Sequence, residues 1–161
     1  LGASKREKQW PEASFRALGP AFDREIPSVP IVLTGGPSDV ELGGALKLAV
    51  PTWNDQTGKT TLHQLMALIE RSRGMVTGDT GAMHMAAALG VPTVAIFGPS
   101  DPIRTGPFGN GHVILQGGSQ IELPLDPANP PARVHAAMSE TSPAQVSFQV
   151  KQAFFRYETG A

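Results

Sequence analysis

Asp79, Thr80, Gly81 and His84 are the residues whose types and spacing best suit chemistry. They lie in Gly78-Asp79-Thr80-Gly81-Ala82-Met83-His84-Met85-Ala86-Ala87-Ala88-Leu89-Gly90, between the apolar runs Met75-Val76-Thr77 and Thr93-Val94-Ala95-Ile96-Phe97. A polar turn flanked by glycine, set between an apolar run and an alanine-rich stretch, predicts strand, tight loop and helix. Such a loop brings backbone N–H groups to a helix N-terminus, where free donors and partial positive charge suit a phosphate group. Gly78 and Gly81 would permit positive φ and close backbone approach. Thr80 would cap the helix or donate its hydroxyl to a ligand oxygen. His84 falls on the face that carries Thr80, because residues four apart stack along the axis. Asp79 only accepts hydrogen bonds when ionised, so it suits sugar hydroxyls better than phosphate oxygens. The same residues also describe a plain capped turn with a core histidine, and alone they leave both readings open.

A second group of charges opens the chain. Lys5, Arg6 and Lys8 crowd three cations into four residues ahead of Trp10-Pro11-Glu12. Proline just inside a helix start, with an acid in the first turn, predicts a helix from there to about Leu18, ending at Gly19-Pro20. The cations read equally as a solvated loop or as an anion-binding loop after a parallel strand. Leu1-Gly2-Ala3-Ser4 resembles the end of such a strand, and with Leu rather than Met at position 1 the chain reads as a fragment. Gly58-Lys59-Thr60 imitates the end of a P-loop, but that motif needs Gly five residues before Gly58, where Trp53 stands.

The elements that must hold these residues alternate. Val29–Thr34 reads as a buried strand, followed by the turn Gly35-Gly36-Pro37-Ser38-Asp39. Ser38 with Glu41 forms a candidate capping box for a helix carrying Val40, Leu42, Ala45, Leu46 and Leu48. Leu48-Ala49-Val50 is a weak candidate strand. Thr60 or Thr61 would cap a helix over Leu62–Ser72 whose Leu62, Leu65, Met66, Leu68 and Ile69 form an apolar stripe, with His63 toward solvent. Thr93–Phe97 is a strongly apolar strand, and Gly98-Pro99-Ser100-Asp101-Pro102 leads toward Arg104 as another rigid turn. His112–Leu115 would be the last strand, with residues 116–131 irregular. Ser142-Pro143 opens a final helix to about Arg156, with Val146, Val150, Ala153 and Phe154 on one face. Strands alternating with amphipathic helices imply a parallel, Rossmann-like α/β sheet, here one domain over residues 1–161. Ligands of such sheets bind outside the carboxyl ends of the strands, where Ala3–Lys8, Gly35–Asp39, Gly78–His84 and Gly98–Arg104 would gather. Several cations, a helix start and a carboxylate suited to sugar together fit a nucleoside diphosphate joined to a sugar.

Composition narrows the classes. The 161 residues suit one domain, and 40% hydrophobic with 17% charged residues describe a globular chain. A net charge of −1 argues against a nucleic-acid surface. Without cysteine there is no disulfide framework or thiolate metal site, as suits a reducing cytoplasm, and the four histidines lack metal-ligand spacing. No secretory signal opens the chain, and its longest apolar candidate, Met83–Pro99, is interrupted by His84, Gly90, Pro92 and Gly98.

The ordered set Ser4-x-x-x-Lys8-x-Trp10-Pro11, Thr34-Gly35-Gly36-Pro37, Gly58-Lys59-Thr60-Thr61-Leu62, Asp79-Thr80-Gly81-x-x-His84-x-Ala86-Ala87-Ala88-Leu89-Gly90-x-Pro92 and Phe97-Gly98-Pro99-Ser100-x-Pro102 resembles glycosyltransferase family 9, the ADP-heptose:lipopolysaccharide heptosyltransferases. The likeness runs to about Val113 and is to the C-terminal, donor-binding half of that GT-B fold. It implies inverting, metal-independent transfer from an ADP-sugar to a lipopolysaccharide-core or other glycan acceptor, with no cofactor. By resemblance, Asp79, Thr80, Gly81 and His84 would contact the donor diphosphate and sugar. Ser4 and Lys8 would contact the phosphates, and Thr60 would lie near the nucleoside. Lys8, Asp79 and His84 would be the catalytic contributors of this half, with the acceptor-side base on an absent N-terminal domain. The Cys-containing segment that many relatives carry after the last strand is missing, which leaves the subfamily open. The resemblance also implies a bacterial cytoplasmic site, with peripheral association at the inner membrane. Two alternatives stand beside it: a non-catalytic nucleotide-sugar binding module, and another GT-B enzyme such as a sugar-nucleotide 2-epimerase. The latter needs acid and base carboxylates beyond Asp79.

Overall fold

The computed structural model describes residues 1–2, 5–121 and 136–155. Helices α1 (Glu12–Glu25), α2 (Val40–Ala49), α3 (Leu62–Glu70), α4 (Gly81–Ala88), α5 (Pro102–Thr105) and α6 (Pro143–Phe154) accompany strands β1 (Val32–Leu33), β2 (Asn54–Asp55), β3 (Met75–Gly78), β4 (Thr93–Phe97), β5 (His112–Gln116) and β6 (Ser119–Ile121). Strands β3, β4 and β5 run parallel, with Met75 opposite Thr93 and Thr93 opposite His112. Strand β6 returns antiparallel along β5, and β1 pairs in parallel with β2, Val32 opposite Asn54. The alternation of strand and helix thus builds an α/β fold with parallel sheets.

Strand β4 is the centre of the larger sheet, and all five of its residues are buried. Successive side chains leave opposite faces. Val94 and Ile96 join Trp10, Phe22, Leu46, Val146 and Val150 on the side of α1, α2 and α6. Ala95 and Phe97 pack instead with Met83 of α4. A strand covered on both faces has to be apolar throughout, as Thr93–Phe97 is.

Several boundaries depart from the sequence reading. Helix α1 continues through Gly19-Pro20 to Glu25, with Pro11 at its N-cap rather than inside the helix. Pro20 removes the hydrogen bond to the Arg16 carbonyl, a loss of about 3 kcal/mol in a helix interior. Burial of Leu18 and Phe22 offsets it at about 1.5–3 kcal/mol each. Gly19 is a contact, not a stop: a Cβ there would come 2.6 Å from Val50 Cγ2. Leu48-Ala49 belongs to α2 and is not a strand. Ser38 does not cap α2: it lies in a 3-10 turn, Pro37–Asp39, and Asp39 holds the N-cap position. His112–Leu115 is not the last strand, because Gly117 (φ 57°) and Gly118 (φ 73°) form a two-residue turn into β6. Positive φ at both positions is what such a hairpin turn requires, and glycine adopts it without strain. Residues 122–131 of the segment read as irregular, and Arg156 at the predicted end of α6, lie outside the described residues.

Candidate functional site

The carboxyl ends of the parallel strands form one rim. At its centre Lys8 Nζ donates to Asp79 Oδ2 at 2.7 Å, across 71 positions of sequence. The two side chains are 26% and 9% exposed, so the pair is partly withdrawn from water. A charge-assisted bond of this length is among the stronger polar contacts available to a protein. The Lys8 side chain reaches Asp79 because its loop is fastened on both sides. Its own amide donates to the Lys5 carbonyl at 3.0 Å, closing the short 3-10 turn Arg6–Lys8. Two residues on, buried Trp10 donates its Nε1–H to the Thr141 carbonyl at 3.0 Å and meets Phe15 edge to face at 4.9 Å. The indole ties the cationic loop to the segment leading into α6.

Asp79 follows β3 and immediately precedes α4. Thr80 is the N-cap residue of α4, yet its side chain makes no capping bond; its hydroxyl lies 3.1 Å from Thr77 Oγ1. By contrast, Thr61 with Gln64 and Ser142 with Gln145 form full capping boxes at α3 and α6. The first-turn amides of α4 are therefore left without a side-chain acceptor, and their partial charge faces outward. Gly78 and Gly81 do not take positive φ, contrary to the sequence reading, because one ends a strand and the other begins a helix. Neither backbone angle nor a protein neighbour calls for glycine at position 81, since a Cβ there would meet nothing within 4 Å. His84 is exposed one turn further along α4.

The neighbouring loops close on this centre from both sides. Beyond β4, Gln116 Nε2 donates to the carbonyls of Gly98 (2.7 Å) and Ser100 (2.9 Å), and Asp101 Oδ1 caps α5 at the Ile103 amide (3.0 Å). Buried Met138 lies against Gly98 and Gly78, over the ends of β3 and β4. On the other side, the backbone nitrogen of Leu1 donates to the Thr34 carbonyl at 2.6 Å, which sets Leu1-Gly2 beside the end of β1. A Cβ on Gly2 would overlap the Asp39 carboxylate, whose Oδ2 accepts from the Gly36 amide at 2.8 Å. The Gly58 amide donates to Gly35 at 3.0 Å, which joins the turn after β2 to the turn after β1.

The structure thus sets Lys8 against Asp79, beside Thr80 and Gly81 at the start of α4, with His84 exposed one turn along the same helix. Thr60, half-buried, sits further along the rim behind Gly58, with no hydrogen bond to Lys8 or Asp79 among the described residues. Ser4 lies outside the described residues. The false P-loop Lys59 turns away from the rim centre onto the Asp55 carbonyl (2.7 Å) and carboxylate (3.2 Å). Hydrogen bonds from the Thr57 hydroxyl and amide, with that lysine, hold the Asp55 carboxyl below its ordinary range. Trp10 and Gln116 were not singled out from sequence as positioning residues. A glutamine closing an apolar strand was the signal for the second. Among the described residues no three of His, Asp and Glu gather closely enough to hold a metal ion, and no helix is long and apolar enough to cross a membrane.

Residues 1–124 match the family described as glycosyltransferase family 9 (heptosyltransferase). Lipopolysaccharide heptosyltransferase 2 of Escherichia coli K12 is 37% identical over 106 residues, or 63% of this chain and 30% of that protein. Among solved structures, the family 9 glycosyl transferase of Veillonella parvula superposes with a TM-score of 0.78 at 28% identity, covering 97% of this chain and 44% of that one. E. coli ADP-heptose lps heptosyltransferase II gives a TM-score of 0.78 at 25% identity, covering 98% and 45%. The chain spans less than half the length of each of these proteins.

Proposed function

The chain belongs to glycosyltransferase family 9, and from that membership we propose that it is the donor-binding part of a heptosyltransferase-like enzyme. Its donor is an ADP-sugar, transferred with inversion to a lipopolysaccharide-core acceptor. The observation that supports this reading best is the Lys8–Asp79 pair, 2.7 Å apart at the open start of α4. One cation, one carboxylate and the Gly81 and Ala82 amides, for which no acceptor is seen among the described residues, are the complement of a diphosphate bonded to a polyhydroxyl ring.

In the reaction an acceptor hydroxyl oxygen attacks the anomeric carbon as the bond from that carbon to the diphosphate oxygen breaks. ADP leaves with the electron pair, and the hydroxyl proton passes to a base on an N-terminal domain outside this chain. Lys8 and the α4 amides stabilise the charge growing on the departing phosphate, so no metal ion or cofactor is needed. Preorganised donors of this kind are worth about 3–4 kcal/mol of barrier each. Asp79 accepts from sugar hydroxyls, His84 holds the sugar-side phosphate, Thr80 and Gly81 line the diphosphate, Ser4 adds a phosphate contact, and Thr60 lies toward the nucleoside. The site of action is the bacterial cytoplasm, at the inner face of the inner membrane where the acceptor is assembled. No observation on the chain favours the 2-epimerase alternative.

Titration calorimetry of the chain against ADP, UDP and GDP tests this. ADP is expected to bind most tightly, and Lys8→Ala and His84→Ala each to weaken it about tenfold or more, as loss of one charge-assisted contact requires. Absence of ADP binding, or affinity indifferent to both substitutions, overturns the reading.

A further inference from the structure

Two glycines stand at the carboxyl ends of neighbouring strands, and neither is there for its backbone angle. Gly78 ends β3 just before Asp79, Gly98 follows β4, and neither takes positive φ. What they admit is a neighbour. A Cβ on Gly98 would come 2.9 Å from both Cγ and Sδ of Met138 and 3.4 Å from the Ala136 carbonyl oxygen. A Cβ on Gly78 would come 3.8 Å from the methyl end of the same methionine and 3.5 Å from the Lys8 carbonyl oxygen. Buried Met138 therefore reaches from the loop after β4 to the strand end that carries Asp79, and the Lys8 backbone rests on that same strand end. An unbranched thioether follows such a path readily.

The segment that carries Met138 is fixed at both ends of its turn. The Glu140 amide donates to the Ala137 carbonyl (3.1 Å), and the Ala137 amide donates to Glu140 Oε1 (2.8 Å), which closes the 3-10 turn Met138–Glu140. The next residue, Thr141, accepts the Trp10 indole N–H at 3.0 Å, and Trp10 and Met138 share one core cluster. The loop after β4 is held from its far side by Gln116. Lys8, by contrast, lies in a 3-10 turn outside the sheet ladder, so no strand register fixes its distance from Asp79.

We propose that Met138 is a positioning residue for the Lys8–Asp79 pair. Seated between Gly98 and Gly78, on the segment that binds Trp10, it sets the spacing between the cationic loop and the start of α4. A displacement of about 1 Å takes a 2.7 Å contact beyond hydrogen-bond length, so small repacking under the rim is enough to part the pair. What the pair binds rests on the proposed function; how the pair is held does not.

The coupling between Lys8 and Asp79 is read without ligand, by urea unfolding of Lys8→Ala, Asp79→Ala and the double variant. The cycle is run in the parent chain and in Met138→Ala and Val150→Ala backgrounds. Val150 belongs to the same core cluster but lies about two turns into α6, so its truncation destabilises the core away from the rim. In the parent the coupling should change the unfolding constant about fivefold or more. Met138→Ala should reduce that to less than about twofold, Met138→Leu, of similar volume, should restore it, and Val150→Ala should leave it intact. Should Met138→Ala not fold, Gly98→Ala displaces the same Cγ and Sδ from the other side and should also reduce the coupling. Coupling that survives Met138→Ala or Gly98→Ala, or that falls equally in Val150→Ala, overturns the inference. In a parent chain that binds ADP, Met138→Ala should weaken ADP about tenfold and Val150→Ala should not; equal affinity in all three also overturns it. A parent chain that does not bind ADP refutes the proposed function alone, because the unfolding cycle reads the pair and not the ligand.

Discussion

The Lys8–Asp79 pair makes a prediction in which two substitutions act with opposite sign on the same ligand. Without ligand, the Asp79 carboxylate 2.7 Å away neutralises Lys8. Asp79→Asn keeps the shape and an acceptor oxygen but frees the lysine charge. A carboxylate about 5 Å from a phosphate, at an effective dielectric near 20, repels it by about 3 kcal/mol. Salt screening and the residual amide dipole reduce this to about 1.5 kcal/mol, so ADP should bind about tenfold more tightly to Asp79→Asn. Lys8→Ala should instead weaken ADP by about ten- to a hundredfold and destabilise the fold by about 1–2 kcal/mol. That is less than for a fully buried pair, because Lys8 keeps 26% exposure. With an ADP-sugar the gain from Asp79→Asn should vanish, because the carboxylate's acceptors for sugar hydroxyls are lost with its charge. Calorimetry with both ligands, alongside urea midpoints, separates these effects. If both substitutions weaken ADP equally and in proportion to lost stability, the pair is a structural clamp and the electrostatic reasoning is wrong.

Trp10→Phe retains most of the buried ring but strands the Thr141 carbonyl. It should cost about 1–3 kcal/mol in urea unfolding and weaken ADP by loosening the Lys8 loop, whereas an affinity equal to the parent's would detach that loop from the site. His112 is buried with Nδ1 unpartnered, and burial holds its imidazole below the ordinary 6.5. A folded-state value lower than the unfolded one means that the unfolded chain takes up the proton first. Stability is full at neutral pH and falls as pH drops through about 6.5, levelling off below the folded value. A urea midpoint that is flat between pH 7.5 and 5, or that falls equally in His112→Leu, would remove His112 from that account.

Legibility in the sequence followed the strength of the local signal. Thr93–Phe97 was read to the residue because a strand buried on both faces has no polar interruption. The starts of α3 and α6 were legible, with the α3 cap left between Thr60 and Thr61, because a cap acts within one turn; the partners Gln64 and Gln145 come from the structure. Strand β2 was missed because Asn54-Asp55 is polar and two residues long; its register comes from pairing with β1, a tertiary fact. The same holds for α1 beyond Pro20, where helix–helix packing outweighs a local breaker. At the candidate site, residue types pointed to loops that the fold brings together, but two expectations changed in three dimensions. Gly81 takes no unusual φ and lies in open space, and Lys8 and Asp79, assigned to different parts of a ligand, meet each other.

That exchange of partners explains why α4 begins as it does. A Thr at an N-cap ordinarily accepts from an amide two or three residues on and stabilises its helix by about 1 kcal/mol. Thr61 does so at α3, accepting from the Gln64 amide at 3.3 Å. Thr80 occupies the same position at α4 but spends its hydroxyl on Thr77, so the helix forgoes that contribution. Stability is given up where the next acceptor to arrive would be a ligand oxygen, and beside it Lys8 waits on a carboxylate that a diphosphate would displace. Among the described helices whose N-cap is Thr or Ser, only α4 goes without the cap its residue could make, and it does so beside the lysine that the proposed ligand would recruit.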